Sequence, residues 1–143
     1  DVPAFSIERT EVTNGRYEEF LAACPRGSAC GPRELPSYWE DRPYLASHRD
    51  NPVVFVAWSE AASFCRWSGG RLPTAVPYGV LAMAGNVSEW TASASEDEPD
   101  LRLVAGGSWD SWELSDGRTY NRIPKSPADR SSSLGFRCAK SQS

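Results

Sequence analysis

Met83-Ala84-Gly85-Asn86-Val87-Ser88-Glu89-Trp90 places one acidic residue just behind a turn dipeptide, between small and aromatic neighbours. Gly85-Asn86 can supply the positive-φ geometry of a tight turn. Glu89 follows at a distance that lets its carboxylate fold back over the turn's own carbonyls. Carboxylate and backbone oxygens together suit a hard cation such as calcium. One carboxylate is few for such an ion, so the residues favour a structural turn in which Glu89 accepts backbone N–H bonds. Trp90 needs a core to pack against and a partner for its indole N–H.

The other chemistry-bearing residues are sparse. Four cysteines, Cys24, Cys30, Cys65 and Cys138, allow three pairings. No two form a C-x-x-C, and His48 is the only histidine, which argues against zinc. Cys24 and Cys30 bracket Pro25-Arg26-Gly27-Ser28-Ala29, a polar loop short enough to close locally, which leaves Cys65 with Cys138. Two disulfides would place the chain in an oxidising compartment, whereas four reduced thiols would fit the cytosol. The first is the expectation, so the chain is read as secreted, periplasmic or displayed at the cell surface. His48, beside Arg49 and Asp50, reads as a surface residue, and no motif makes it the base for a serine nucleophile. Arg118, Arg122, Arg130 and Arg137 could form a cationic pocket for a carboxylate or a glycan acid. They could equally pair internally with Asp110, Asp116 and Asp129, and the net acidity of the chain favours that reading.

Ala84 to Trp90 resembles the GNVWEW signature of the formylglycine-generating enzyme (sulfatase-modifying factor) family, with Ser88 where a Trp is usual. Further matching stretches follow in the family's order: Glu8 to Asn14, Pro52-Val53-Val54 with Trp58, and Cys65-Arg66-Trp67 running into Gly70-Arg71-Leu72-Pro73-Thr74. Gly106-Gly107-Ser108-Trp109 and Leu134-Gly135-Phe136-Arg137-Cys138 complete the set. The resemblance covers nearly the whole chain and implies a C-type-lectin-like fold. It also implies the Cys65–Cys138 pairing, a bridge that would stabilise by roughly 4 kcal/mol on the chain-entropy view.

The family's chemistry is not carried over with its fold. Formylglycine-generating enzymes oxidise a substrate cysteine with a copper-binding cysteine pair between the GGSW and GFRC motifs. Here that interval, Asp110 to Leu134, contains no cysteine, and thiolate is the ligand that selects Cu(I). Relatives that use non-haem iron need several histidines, or two with a carboxylate, and one histidine cannot supply them. The resemblance assigns one calcium site to the carbonyls of Gly85 and Val87, the Glu89 carboxylate and a polar side chain three residues before the glycine. That last position is Ala82, so a ligand is lost. A second family calcium site lies in a segment that is reduced here to Ala75-Val76-Pro77. Calcium remains the one candidate cofactor, weakly held or absent.

The elements that must position these residues follow from periodicity. Pro3 to Ile7 predicts an entry strand. Thr13 is a good N-cap for a helix whose Tyr17, Phe20, Leu21 and Cys24 face the core and whose Glu18 and Glu19 face water, stopped by Pro25. Val53 to Val56 predicts a short buried strand. Trp58 to Ser68 predicts a second helix, with Trp58, Ala61, Ala62 and Cys65 inward and Gly69-Gly70 as its C-terminal cap. Ser93 to Asp100 reads as a solvated acidic loop, Leu101 to Val104 as a strand, and Leu134 to Ala139 as a closing strand. Residues 25–52 and 110–133 read as irregular.

The 143 residues suit one domain, taken as 1–143, in the α+β class with two main helices, short strands and long loops. Six Trp, eleven Gly and eleven Pro fit a loop-rich chain braced by aromatic rings. Nineteen acidic against fifteen basic residues, a net charge of −4, argue against a nucleic-acid partner. No apolar run approaches membrane-spanning length. No signal peptide is visible, and the start at Asp1 without Met fits a trimmed chain.

The expectation is a non-catalytic, disulfide-braced binding module of an exported bacterial protein, with a protein or glycan ligand. Loops 31–52 and 110–133 would form its contact surface, with Trp39, Trp112, Tyr120 and Arg122 as ligand-binding residues. The related fold serves this way in diversity-generating retroelement proteins, where the interval before GFR is varied. The competing expectation is an oxidase, copper-dependent or iron-dependent, whose metal site is supplied elsewhere.

Overall fold

Residues 5–8, 10–74, 87–105 and 122–141 are described by the computed structural model. Their elements are β1 (Phe5–Ile7), α1 (Asn14–Ala23), α2 (Arg42–Ser47), α3 (Trp58–Trp67), β2 (Ser88–Ala94), β3 (Arg102–Ala105), β4 (Arg122–Lys125), β5 (Leu134–Gly135) and β6 (Ala139–Ser141). The mixture is the expected α+β class.

Local chemistry sets both long helices. The Thr13 hydroxyl oxygen accepts from the Arg16 N–H at 3.2 Å and caps α1, which ends before Pro25. Tyr17, Phe20 and Cys24 point inward, and Leu21 is half-buried. In α3, Ala61, Phe64 and Cys65 are buried, with Trp58 and Ala62 partly covered beside them. Phe64, not among the inward residues expected of this helix, packs edge-on against Phe20 at 5.3 Å and against Phe136 at 5.5 Å. Gly69 takes a φ of 94°, and the Gly70 N–H returns to the Cys65 carbonyl at 2.7 Å, closing the helix as the Gly-Gly pair predicts.

Two sheets flank this helical core. In the larger, order β4-β3-β2-β5, β2 is internal: it pairs antiparallel with β3 (Trp90 opposite Val104) and parallel with β5 (Glu89 opposite Gly135). Trp90 is fully buried and its indole N–H donates to the Val56 carbonyl at 2.9 Å. In the smaller sheet β1 and β6 run antiparallel.

Several expectations need correction. Leu134 to Ala139 is not one strand. It is split between the two sheets, and Phe136, Arg137 and Cys138 cross between them. Val53 and Val56 are buried and Val54 and Phe55 half-buried, but the segment is not a strand, because its N–H groups go to irregular partners, Val53 to the Val12 carbonyl and Phe55 to the Ser131 carbonyl. Phe55 sits at a φ of 61°, a conformation that is costly for a bulky side chain. Ser93 and Ala94 belong to β2 and not to the acidic loop, while β4 and α2 arise in segments that read as irregular. The Asp41 side chain caps α2 through the Tyr44 N–H at 3.0 Å, and Pro43 lies in its first turn.

Both disulfides form as expected, with Cα separations of 5.3 Å for Cys24–Cys30 and 5.5 Å for Cys65–Cys138. The second spans 73 positions and ties α3 to the crossing between β5 and β6.

Candidate functional site

Glu89 lies on β2 with both edges of its strand paired, and the residue is 3% exposed. The Gly85-Asn86 turn, whose donors are expected for it, lies outside the described residues. Arg137 Nε donates to Oε1 at 2.8 Å and Nη2 to Oε2 at 2.7 Å, a bidentate pair, while Nη1 donates to the Glu8 carbonyl at 2.9 Å. The Glu11 carboxylate faces the same guanidinium, with Oε2 3.5 Å from Nη2. Burial pushes the Glu89 carboxyl up to about 8; Arg137 pulls against that shift and Glu11 adds to it.

This geometry does not suit a calcium ligand. Both Glu89 oxygens are engaged, and a buried guanidinium beside them repels a second cation. Val87 is buried, and Gly85 lies outside the described residues. Among the described residues no group of three or more His, Cys, Asp or Glu side chains is placed to hold a metal ion. Copper has no thiolate to bind, because all four cysteines of the chain are in disulfides.

A different arrangement arises where segment 31–40 meets segment 126–130. An open cleft there is lined by Arg33, Glu34, Ser59, Glu60, Pro127 and Arg130, and Glu34 also borders a second hollow along Leu35, Pro36 and Trp39. Glu60, on the first turn of α3 and 4% exposed, fastens the walls together. Its carboxylate accepts from the Arg33 and Glu34 N–H groups of one wall at 3.1 and 3.2 Å. It takes both terminal nitrogens of Arg130, from the other wall, at 2.6 and 2.8 Å, and reaches the Ala57 N–H at 3.1 Å. These contacts hold the Arg130 guanidinium above its ordinary pKa, the bond to Glu60 contributing most. Arg130 also donates towards the carbonyl of the strained Phe55 at 3.5 Å. The floor is thus a saturated, fixed charge network, and Arg33 is the exposed cation above it. Such a cleft offers a ligand a shaped, polar surface.

The other expected site residues are scattered. Trp39 is 6% exposed and packs against Tyr17 at 5.7 Å and Tyr38 at 5.9 Å, so it is a core residue and not a surface anchor. Trp112, Tyr120 and Arg118 lie outside the described residues, and Arg122 is described only as the first position of β4. Among the described residues Arg130 and Arg137 pair internally as the charge balance suggests, with Glu60 and Glu89, while Asp110 and Asp116 lie outside the described residues. His48 is half-buried, stacked on Tyr44 at 4.0 Å between centroids. The sequence reading missed Glu60 and Tyr38. A glutamate at the third position of a helix with an alanine N-cap was the available signal for Glu60. Tyr38, whose hydroxyl donates to Asn14 at 2.6 Å and accepts from the Val54 N–H at 3.1 Å, carried none.

Comparison with known proteins gives the chain its relatives. It matches the family described as "Sulfatase-modifying factor enzyme 1-like domain" over residues 1–78 and 75–142. It is 28% identical to the mouse (Mus musculus) protein named "Inactive C-alpha-formylglycine-generating enzyme 2", over 63% of this chain and 49% of that one. It is 23% identical to the "Formylglycine-generating enzyme" of Mycobacterium tuberculosis, over 94% of this chain and 59% of that one. The chain thus spans about half the length of these relatives. The crystal structure of CarF superposes with a TM-score of 0.71 at 17% identity, covering 97% of this chain and 87% of that one, a likeness of fold alone. The fold is therefore C-type-lectin-like, of the formylglycine-generating-enzyme kind.

Proposed function

This chain belongs to the sulfatase-modifying factor enzyme 1-like family, and on that premise we propose that it is a non-catalytic binding module of an exported bacterial protein. The observation that carries the reading is that all four of its cysteines are consumed in disulfides. Cysteine oxidation of the family's kind needs a thiolate pair on the metal, and this chain has none left to offer. The same disulfides fit an oxidising compartment. A relative whose name calls it inactive is consistent with a fold retained without the reaction.

The binding surface is assigned to the cleft between segments 31–40 and 126–130, and Trp112 and Tyr120, which lie outside the described residues, are added to it from the sequence alone. Glu60 joins the two described walls, so the cleft is preformed and a ligand need not order it. Phe55, held at positive φ between these walls, is the kind of strain that collects at functional sites. The ligand class is protein or glycan.

The test immobilises the domain, captures ligands from the envelope fraction of the source bacterium, identifies them, and titrates Arg33→Ala, Trp112→Ala and Tyr120→Ala against the purified ligand. The expected outcome is weakened binding with unchanged melting temperature. A parallel assay supplies a cysteine-containing peptide, copper and oxygen. Stoichiometric formation of aldehyde would overturn the non-catalytic reading, and full-strength binding by all three variants would overturn the placement of the surface.

A further inference from the structure

The two disulfides differ in what can reach them. Cys65 and Cys138 are 0% and 1% exposed, inside the aromatic core. Cys24 is also buried, but Cys30 is exposed, and a hollow lined by Ser63, Arg66 and Trp67 opens onto the Cys24–Cys30 bridge. Trp67 is 41% exposed there, one of two large apolar side chains so exposed among the described residues. Arg66 brings positive charge to the same hollow, which attracts an approaching thiolate.

The bridge also stands at the head of the cleft wall. Around its cysteines the chain makes short turns, Ser28 N–H to the Pro25 carbonyl at 3.0 Å, joined there by the Ser28 hydroxyl at 2.7 Å, and Gly31 N–H to the Ser28 carbonyl at 3.2 Å. Gly27 N–H reaches across to the Pro32 carbonyl at 3.0 Å. The path is tight: a Cβ at Gly31 would run into the Pro25 carbonyl oxygen. Directly after Pro32 come Arg33 and Glu34, whose N–H groups dock on Glu60. The wall is thus fixed at one end by a covalent bond open to solvent and at the other by a carboxylate.

We propose that Cys24–Cys30 is a thiol-addressable clasp that sets the order of the cleft wall, acted on by a dithiol reductant. One thiolate of the reductant attacks Cys30 Sγ, forming a mixed disulfide and releasing Cys24 as a thiolate that takes up a proton. The reductant's second thiolate then attacks its own bridged sulfur and releases Cys30, so the dithiol becomes a disulfide and this chain gains two electrons and two protons. Cys65–Cys138 keeps the fold while the wall loosens. That this regulates ligand binding rests on the function proposed above. The clasp itself is tested without any ligand.

The oxidised domain is treated with dithiothreitol under native conditions, the thiols are trapped by alkylation and mapped, and amide hydrogen exchange is recorded before and after. Labelling is expected at Cys24 and Cys30 first. The Arg33 and Glu34 amides should then exchange about tenfold faster or more, with β2 and β3 unchanged. The Cys24→Ser/Cys30→Ser double variant should be folded and show the same fast amides. Three results would overturn the clasp: equal or earlier labelling of Cys65 and Cys138, unchanged exchange at Arg33 and Glu34 after reduction, or a double variant that does not fold. Success here with no ligand found for the cleft would leave the clasp standing and fault the binding reading alone.

Discussion

Replacing Glu60 with Ala removes the acceptor on which both walls of the cleft converge. Five donors lose their partner: the N–H groups of Arg33, Glu34 and Ala57 and the two terminal nitrogens of Arg130. Breaking a buried ion pair from one side costs about 3–5 kcal/mol. The Arg130 side chain is 24% exposed and lies 3.8 Å from Glu34, so water and that second carboxylate recover part of the loss. The loop amides of Arg33 and Glu34 can also turn to solvent, whereas the Ala57 N–H is buried and adds about 1 kcal/mol. The net expectation is a loss of about 3–4 kcal/mol, read as a lowered urea midpoint with unchanged slope and disulfides intact. Glu60→Gln, which keeps an acceptor but not the charge, should recover about half of that loss. A cycle with Arg130→Met should return a coupling of about 2 kcal/mol. A loss below about 1 kcal/mol for Glu60→Ala, or a coupling near zero, would refute the claim that this carboxylate fastens the walls.

Glu89 predicts a pH dependence whose sign follows from its shift. Its carboxyl is raised from an ordinary 4.5 to about 8, so the folded chain holds the proton more tightly. That stabilisation is complete below the unfolded value and is lost as pH rises from there through 8. Denaturation midpoints from pH 5 to 9 should fall in the natural protein and stay flatter in Glu89→Gln; parallel profiles would contradict the shift. Cys65→Ser/Cys138→Ser should lose roughly 4 kcal/mol, measured by thermal melting, because the bridge closes 73 positions. Trp39→Ala should cost about 3–5 kcal/mol, as a buried ring does. A stable Trp39→Ala that merely binds less would return this residue to the surface role its sequence context suggested.

The two long helices were legible because their signals are local: a Thr cap, a stop at Pro25, a Gly-Gly exit and apolar residues at helical spacing. Of the strands, β1 and β3 were legible in Pro3 to Ile7 and Leu101 to Val104, whereas pieces such as Leu134–Gly135 are shorter than one readable period. Val53 to Val56 looked like a strand for the same β-branched residues that fill the core here without a ladder. The ion pairs were hidden by distance, Glu89 from Arg137 by 48 positions and Glu60 from Arg130 by 70. Trp39 looked exposed because charges surround it in the chain, whereas its spatial neighbours are Tyr17 and Tyr38. The cysteine pairing could be read because only one combination leaves a short loop to close on itself.

The pairing of β1 with β6, with Phe5 opposite Ser141 and Ile7 opposite Ala139, has a consequence for how such a domain is inherited. Strand partners lie only about 5 Å apart, so a polypeptide enters and leaves this fold at nearly the same point. A host protein carrying it in a surface loop would need to open that loop by no more than the width of a hairpin, and its own loop-closure entropy would hardly change. The domain is therefore geometrically suited to being spliced into the middle of another chain as a pendant, as well as being strung between neighbours at either end.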